Sequence, residues 1–250
     1  MSNDKLLDSR DVTAALGFLT RLPVRVDGDW AMGRGARSAW AYPVAGLVIG
    51  AGLAAVVWLA AVVGLPNIIA AAIGLGAITF ATGALHEDGL ADTADGFWGG
   101  YDRARRLEIM KDSRIGAYGV LALVLTVLVS WLAIAELAER GQLWALVAMP
   151  AVSRAVMPAL MRLPHARPNG VSVAVGRPPF ETACLSVAIG AVALIPLGLA
   201  GLAVGILIAL ASGGLAALAF RKIGGQTGDV LGASQQLTQA LGWLVVVALA

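Results

Sequence analysis

Long runs of apolar residues, separated by short polar segments, dominate the pattern of this sequence. Four runs, each bounded by Gly, Pro or charged residues, are long enough for one membrane-spanning helix: residues 38–64, 66–85, 117–135 and 143–161. The run over residues 182–220 exceeds one span and is interrupted around Pro196 and Gly198, so it predicts two helices joined by a tight turn. A last helix is predicted from Asp229 to the C-terminus.

These runs together predict an all-α fold, a polytopic integral membrane helical bundle with about six or seven transmembrane helices. Composition agrees, because 58% of the residues are apolar, 14% are charged and the mean hydropathy is +0.80, whereas a soluble chain is about half apolar and about a quarter charged. A single membrane-embedded domain over residues 1–250 accounts for the length. The one cysteine excludes an internal disulfide and a multi-cysteine metal site.

Basic residues predict the orientation of the bundle, because cytoplasmic loops carry the excess of Lys and Arg. With the N-terminus inside, four segments face the cytoplasm: residues 1–37, 86–116, 162–181 and 221–228. They contain all of the 18 Lys and Arg residues except Arg140 and Arg154. The net charge of +2 is mild. It suits anionic lipid head groups or an anionic substrate and does not imply nucleic acid.

The segment over residues 86–96 is acidic and follows directly on a predicted span. Asp88, Asp92 and Asp95 stand at positions i, i+4 and i+7, so a helix places them on one face. Like charges at this spacing repel each other, and a hard cation such as Mg²⁺ would neutralise them with oxygen ligands. The alternative is a solvated acidic helix start, which the helix dipole favours.

A second polar segment, residues 110–119, returns the chain to the membrane. Lys111 and Arg114 are charge partners for an anion, and Gly116 and Gly119 allow the backbone to approach it closely, so the segment is a candidate pyrophosphate cradle. The alternative is a basic juxtamembrane anchor. The anchor is the preferred interpretation for three nearby arginines: Arg103, Arg105 and Arg106.

One charged residue lies inside a predicted span. Arg154, preceded by Ser153, is costly in the membrane unless it pairs inside the bundle or faces a wet cavity, which makes it a candidate site residue. The alternative is a purely structural ion pair with a carboxylate such as Asp92 or Asp95.

The turn over residues 224–229 places polar groups at a predicted helix start. Gln226, Thr227 and Asp229 offer an amide, a hydroxyl and a carboxylate there, which suits phosphate or a metal; an ordinary capped turn is the alternative. The two histidines are too few for a histidine metal site. We interpret His86 as an acid/base or a hydrogen-bonding support for the carboxylates, and we expect His165 to be exposed.

Over nearly its full length, the sequence resembles the cobalamin synthase family, the adenosylcobinamide-GDP ribazoletransferases. The segments that carry the resemblance, in this order, are residues 18–23, 86–96, 110–119, 153–154 and 224–232. The resemblance implies an enzyme with Mg²⁺ as cofactor that joins adenosylcobinamide-GDP to α-ribazole, or to its 5′-phosphate, and releases GMP. It also implies an integral membrane enzyme. Together with the predicted topology, we expect a multi-pass protein of the cell inner membrane whose active site faces the cytoplasm.

The resemblance further implies roles for individual residues. The implied metal ligands are Glu87, Asp88, Asp92, Asp95 and Asp229. The implied catalytic residues are His86, Asp88, Asp92 and Arg154. The implied substrate-binding residues are Arg21, Lys111, Asp112, Ser113, Arg114, Ser153, Gln226 and Thr227. The chain departs from the family pattern at Gln239, where an acidic residue is expected.

The sequence also predicts partners and leaves two rival functions open. The partners are the two substrates, membrane lipid, and either a second copy of this chain or other enzymes of nucleotide-loop assembly. A phosphatidyl-alcohol transferase is one rival, since such enzymes also use spaced aspartates with Mg²⁺ and release a nucleoside monophosphate. A secondary transporter is another, but transporter sites lie near the bilayer midplane, whereas the predicted topology puts nearly all acidic residues in cytoplasmic loops.

Overall fold

The structure, a computed structural model, describes residues 5–249. Residues 1–4, part of the predicted first cytoplasmic segment, and residue 250, the end of the predicted last helix, lie outside the described residues. The α-helices in chain order are α1 (Arg10–Leu19), α2 (Gly28–Arg34), α3 (Tyr42–Val62), α4 (Asn67–Thr82), α5 (Leu85–Gly99), α6 (Arg103–Ile109), α7 (Ala117–Glu139), α8 (Leu143–Ala155), α9 (Met157–Leu160), α10 (Val171–Val175), α11 (Phe180–Leu194), α12 (Gly198–Ile223) and α13 (Gly228–Leu249). Residues 5–249 contain no β-strand, and the predicted all-α class is confirmed.

The predicted spans are present as helices. The helical segments long and apolar enough to cross a membrane are Gly28–Val62, Ala117–Glu139, Leu143–Leu160, Phe180–Ile223 and Gly228–Leu249. The bent pair of α4 and α5 adds a sixth if it counts as one span. These helices confirm a polytopic membrane bundle, because their apolar length matches the hydrocarbon thickness of a bilayer.

The predicted break inside the longest apolar segment lies between α11 and α12. A 3₁₀ turn at Ile195–Leu197, followed by Gly198 with a φ of +56°, ends one helix and starts the next. A Cβ on Gly201 would overlap the carbonyl of Leu194. The start of α12 therefore packs directly against the end of α11, and the two helices meet at a tight turn as predicted.

Helix α5 leaves the direction of α4 at a sharp bend of 87°. Gly83 (φ +64°) and Ala84 (φ +53°) both take the left-handed conformation there, which is unusual for alanine because of its Cβ. A Cβ on Gly83 would lie 2.6 Å from Nε of Arg21. The acidic segment thus forms the predicted helix, and that helix runs nearly perpendicular to the span before it.

Small residues and one buried tryptophan allow the helices at the centre of the bundle to pack closely. Gly46 and Gly50 of α3 lie so close to the backbone of α8 that a Cβ on either would overlap it, as is common where membrane helices pack tightly. Trp243 of α13 is fully buried, and its Nε1 donates to the carbonyl of Ala145 on α8 over 3.1 Å. Helices α3, α8 and α13 therefore pack closely together at the centre of the bundle.

Hydrogen bonds show that three of the four predicted same-side segments, residues 86–116, 162–181 and 221–228, meet at one end of the bundle. Arg103 donates to the carbonyl of Ala166 over 2.9 Å, and Arg106 donates to the carbonyl of Lys222 over 3.1 Å. At the other end, Arg140 donates to the carbonyl of Val247. We call the first end the polar end. That it faces the cytoplasm stays a prediction from charge.

Candidate active site

A pocket of about 190 Å³ opens at the polar end between α1, α3, α5, α9, α10 and α13. Most of its lining is apolar. Its charged and polar lining residues are His86, Asp88, Arg167, Ser172 and Asp229. The pocket therefore joins two of the predicted segments, residues 86–96 and 224–229, to a third loop that carries Arg167.

The three aspartates of α5 share one face but differ in burial. Asp88 is exposed, Asp92 is half-buried and Asp95 is buried. Asp88, Asp95 and Asp229 all repel the carboxylate of Asp92, and Arg167 attracts it. The structure thus brings Asp229 of α13 to the acidic face of α5. The helices approach this closely because Gly89 and Gly232 meet at their crossing, where a Cβ on Gly89 would lie 2.8 Å from the carbonyl oxygen of Asp229.

Asp95 has a different surrounding from the other two aspartates. One carboxylate oxygen accepts the backbone N–H of Gly116 over 2.7 Å, and the other accepts that of Gly119 over 2.9 Å. These bonds fasten the start of α7 to α5. The expectation that Gly116 and Gly119 offer their backbone to a pyrophosphate is therefore wrong, because Asp95 already occupies both amides.

No group of three or more His, Cys, Asp or Glu side chains within residues 5–249 is arranged to hold a metal ion. The carboxylates of Asp88, Asp92 and Asp229 nevertheless have the donor chemistry that Mg²⁺ prefers, and a cation would relieve their repulsion. Mg²⁺ is often held by one or two carboxylates together with substrate phosphates and water. Such a site does not require three converging protein ligands.

Glu87 points away from the acidic face of α5. Its carboxylate accepts the hydroxyl of Thr79 over 3.3 Å, and it is the carboxylate that attracts the buried guanidinium of Arg154. Arg154 also donates to the carbonyl of Pro150 over 3.0 Å. Within residues 5–249 Arg154 has no ion pair with Asp92 or Asp95, so the alternative of a structural pair with either is wrong.

His86 lies between these groups and the pocket. It is almost fully buried, and neither ring nitrogen has a hydrogen-bond partner within the described part of the chain. It also lines the pocket. Buried polar atoms without partners are rare, so His86 is placed to meet a group that enters the pocket.

Gln239, the predicted departure from the family pattern, belongs to a neutral network beneath the site. Gln235 donates through its amide to Gln239 over 2.7 Å and to the hydroxyl of Ser153 over 3.1 Å. All three residues are buried. An amide at position 239 is satisfied here without a charge. Ser153, predicted to bind substrate, belongs to this network and does not line the pocket.

The turn before α13 is both capped and connected to a second loop. Thr227 accepts the backbone N–H of Val230 over 3.3 Å and donates to Asp229 over 3.1 Å, so the ordinary capped turn is present. Gln226 is buried and bonds to Nδ1 of His165 over 3.0 Å. Gln226 therefore supports the loop at His165.

His165 is half-buried, so the expectation that it is exposed is wrong. It lies in the loop that brings Arg167 to Asp229, and their side chains form an ion pair of 3.1 Å. Sequence reasoning missed Arg167. Its only signal was a cation between two prolines in a predicted cytoplasmic loop, which does not reveal its partner on another helix.

The remaining predicted substrate-binding residues lie outside the pocket. Lys111, Ser113 and Arg114 are exposed, and Arg114 pairs with Asp112 over 2.7 Å. The Arg114 guanidinium lowers the pKa of Asp112 to about 2, so the pair keeps both charges above that pH. Arg21 is also exposed and rests against the bend between α4 and α5.

Comparisons with known proteins identify the family of this chain. The family model described as cobalamin-5-phosphate synthase matches residues 11–247. The adenosylcobinamide-GDP ribazoletransferase of Mesorhizobium japonicum is 48% identical over 243 residues, covering 96% of this chain and 92% of the relative. That of Bradyrhizobium diazoefficiens is 46% identical over 242 residues, covering 95% and 93%. No solved structure matches the chain. The chain belongs to the cobalamin-5-phosphate synthase family.

Proposed function

We propose that this protein joins adenosylcobinamide-GDP to α-ribazole, or to its 5′-phosphate, and releases GMP. The hydroxyl oxygen of α-ribazole forms a bond to the phosphorus attached to cobinamide. The bond from that phosphorus to the bridging oxygen breaks, and GMP leaves with this oxygen. The proton of the hydroxyl passes to a base on the protein.

One observation carries the proposal: an apolar pocket at the polar end has two carboxylates and a guanidinium, those of Asp88, Asp229 and Arg167, at one edge. Transfer at phosphorus depends on positioning and on neutralising charge more than on covalent help. Arg167 holds Asp229 and offers a cation to the pyrophosphate. Asp88 or His86, which both line the pocket, accepts the proton.

Mg²⁺ belongs to the proposal as the cofactor. One or two of the carboxylates of Asp88, Asp92 and Asp229 would hold it together with substrate phosphates and water, and it would neutralise the charge of the pyrophosphate. A test independent of turnover is equilibrium binding of Mn²⁺ as a paramagnetic substitute, measured by its electron paramagnetic resonance signal. We expect weaker binding in Asp92→Asn than in the wild type, and unchanged binding in Glu108→Gln. Equal binding in both variants would contradict the assignment.

We also propose that the polar end faces the cytoplasm of the cell inner membrane, as the distribution of Lys and Arg favours. The test uses a Cys184→Ser background with one new cysteine at a time. Tyr101→Cys lies at the polar end and Leu65→Cys at the opposite end, and both positions are exposed. In intact cells, a membrane-impermeant maleimide should label Leu65→Cys and spare Tyr101→Cys. The reverse pattern would contradict the orientation.

The reaction itself is tested by GMP release from purified protein in detergent, given adenosylcobinamide-GDP, α-ribazole and Mg²⁺. We expect release that requires α-ribazole, forms cobalamin and stops when a chelator is added. Parallel reactions with a lipid alcohol or a CDP-alcohol test the phosphatidyl-alcohol transferase alternative. GMP release without a cobalamin product, or transfer to a lipid alcohol instead, would contradict the proposal.

A further inference from the structure

The pocket at the polar end has two unlike halves. One edge carries the charged residues described above. The lining also contains a group of apolar residues, which we call the apolar half: Phe18, Leu19, Tyr42, Met157, Met161 and Leu231. All of these except Phe18 belong to one buried hydrophobic cluster. The rings of Phe18 and Tyr42 are stacked, with centroids 6.0 Å apart and planes inclined by 25°. The apolar half therefore offers flat aromatic faces and polarisable thioethers in place of hydrogen-bonding groups.

The size of the pocket limits its occupant. Pockets that hold whole drug-sized ligands have volumes of roughly 300–1,000 Å³, whereas this one measures about 190 Å³. This volume suits a bicyclic aromatic base and is too small to enclose the corrin macrocycle of adenosylcobinamide. Two bases take part in the proposed reaction, the dimethylbenzimidazole of α-ribazole and the guanine of the GMP group.

The chemistry of the lining separates these two bases. Guanine carries a carbonyl, a ring N–H and an amino group along one edge, and burying them without partners is costly. Dimethylbenzimidazole carries two methyl groups on the corresponding edge. The side chains of the apolar half are hydrocarbon, thioether or aromatic, with the Tyr42 hydroxyl as the one polar group among the six named. This lining suits methyl groups and a stacked ring, since apolar contact is what stabilises them.

We propose that the apolar half of the pocket binds the base of α-ribazole and thereby selects a methylated benzimidazole as the acceptor. This inference rests on the proposed transfer reaction and adds the specificity-determining residues to it. With the base against Phe18 and Tyr42, the ribose lies toward Asp88 and Asp229 at the charged edge. The attacking hydroxyl is then held beside the groups proposed to accept its proton.

Two variants test the apolar half at different cost to the fold. Phe18 is 40% exposed, so Phe18→Ala removes a stacking face with little loss of core packing. Met161→Leu keeps the side-chain volume and changes only its shape and polarisability, which cores usually tolerate. Phe80→Ala is the matched control, because Phe80 is an exposed aromatic residue on α4, outside the pocket.

The measurements are the KM for each substrate and the direct binding of α-ribazole, followed by its benzimidazole fluorescence. Loss of a stacking face should weaken α-ribazole binding about tenfold in Phe18→Ala and raise its KM by a similar factor. The KM for adenosylcobinamide-GDP should stay within about twofold. Met161→Leu should reduce the ratio by which α-ribazole binds more tightly than its analogue without methyl groups. Phe80→Ala should change neither α-ribazole binding nor the KM of either substrate.

The outcomes separate this inference from the proposed reaction. A raised KM for adenosylcobinamide-GDP with unchanged α-ribazole binding would assign the apolar half to the guanosine group and overturn the inference. Equal α-ribazole binding in wild type and Phe18→Ala would overturn it as well. A third outcome is a wild-type protein that binds α-ribazole but transfers nothing, with weaker binding in Phe18→Ala. That outcome would support the base site and contradict only the proposed reaction.

Discussion

The two ends of helix α5 carry the same residue type on the same helix face, yet their surroundings differ. At one end, Asp88 is exposed in the pocket and Asp92 is half-buried and repelled by its neighbours. At the other end, Asp95 is buried and accepts two backbone amides. The spaced aspartates therefore have two kinds of surroundings, and we propose that Asp88 and Asp92 serve the chemistry and Asp95 the fold.

The difference arises from what packs against each end. Near Asp88, the loop with Arg167 and the start of α13 leave a pocket open. Near Asp95, the start of α7 approaches so closely that only glycine fits at positions 116 and 119, where a Cβ would overlap the Asp95 carboxylate. Substitutions at the two ends should therefore separate loss of activity from loss of stability.

The largest effect is expected for Asp92→Asn. We expect the rate of GMP release to fall about a hundredfold or more, the range found when a group that stabilises a transition state is removed. The melting temperature should hold or rise, because the change removes a charge from a repelling cluster. Rates and thermal unfolding are measured in the same detergent, with Glu108→Gln as the control for an exposed acid outside the pocket. A drop in melting temperature would show that Asp92, like Asp95, stabilises the fold.

Asp95→Ala should act on stability. The change leaves the amides of Gly116 and Gly119 without their acceptor, and each lost buried bond costs about 1–3 kcal/mol. Thermal unfolding and GMP release of the remaining folded protein are the measurements. Asp95→Asn keeps one acceptor oxygen, so its melting temperature should lie between those of Asp95→Ala and the wild type. A stable Asp95→Ala protein without activity would instead make Asp95 a metal ligand.

Gly119→Ala tests the same contact from its other side. The new Cβ would overlap the Asp95 carboxylate, and overpacking of this kind costs about 1–3 kcal/mol. Gly76→Ala on α4 is the matched control, since nothing lies within 4 Å of its new Cβ; it should leave the melting temperature unchanged or raise it slightly. Equal melting temperatures for the two variants would contradict the close approach of α7 to α5.

Arg114→Gln should have the smallest effect. Arg114 is exposed, pairs with Asp112 and lies outside the pocket, and surface ion pairs contribute about 0–1 kcal/mol. We expect the KM for adenosylcobinamide-GDP to rise no more than about threefold, with kcat and melting temperature unchanged. A large rise in KM would show that the segment after α6 closes over the pyrophosphate and would extend the site toward Asp95.

Much of this fold could be predicted because hydropathy is a local property of the sequence. The spans, the turn at Ile195–Leu197 and the shared face of the α5 aspartates all follow from residues close together in the chain. The pairing of Arg167 with Asp229 and of Asp95 with the α7 amides could not be predicted. These contacts join residues distant in sequence, and their geometry depends on how the helices pack.

Gln239 also shows what the sequence alone does not reveal. The sequence marks it as a departure from the family pattern, which directs attention to a missing acid. The structure places it in a buried network with Gln235 and Ser153, where an uncharged amide is satisfied. Whether a polar residue serves chemistry or packing is thus decided by its partners, which the residue type alone does not identify.

If one end of α5 serves the reaction and the other end holds the fold, Asp92→Asn and Asp95→Asn should affect different properties. The rate of cobalamin formation and the melting temperature are measured on the same preparations of both variants. We expect an inactive protein with wild-type melting temperature for Asp92→Asn, and an active protein with a lowered melting temperature for Asp95→Asn. An inactive, fully stable Asp95→Asn would show that the two ends of α5 do not divide these roles.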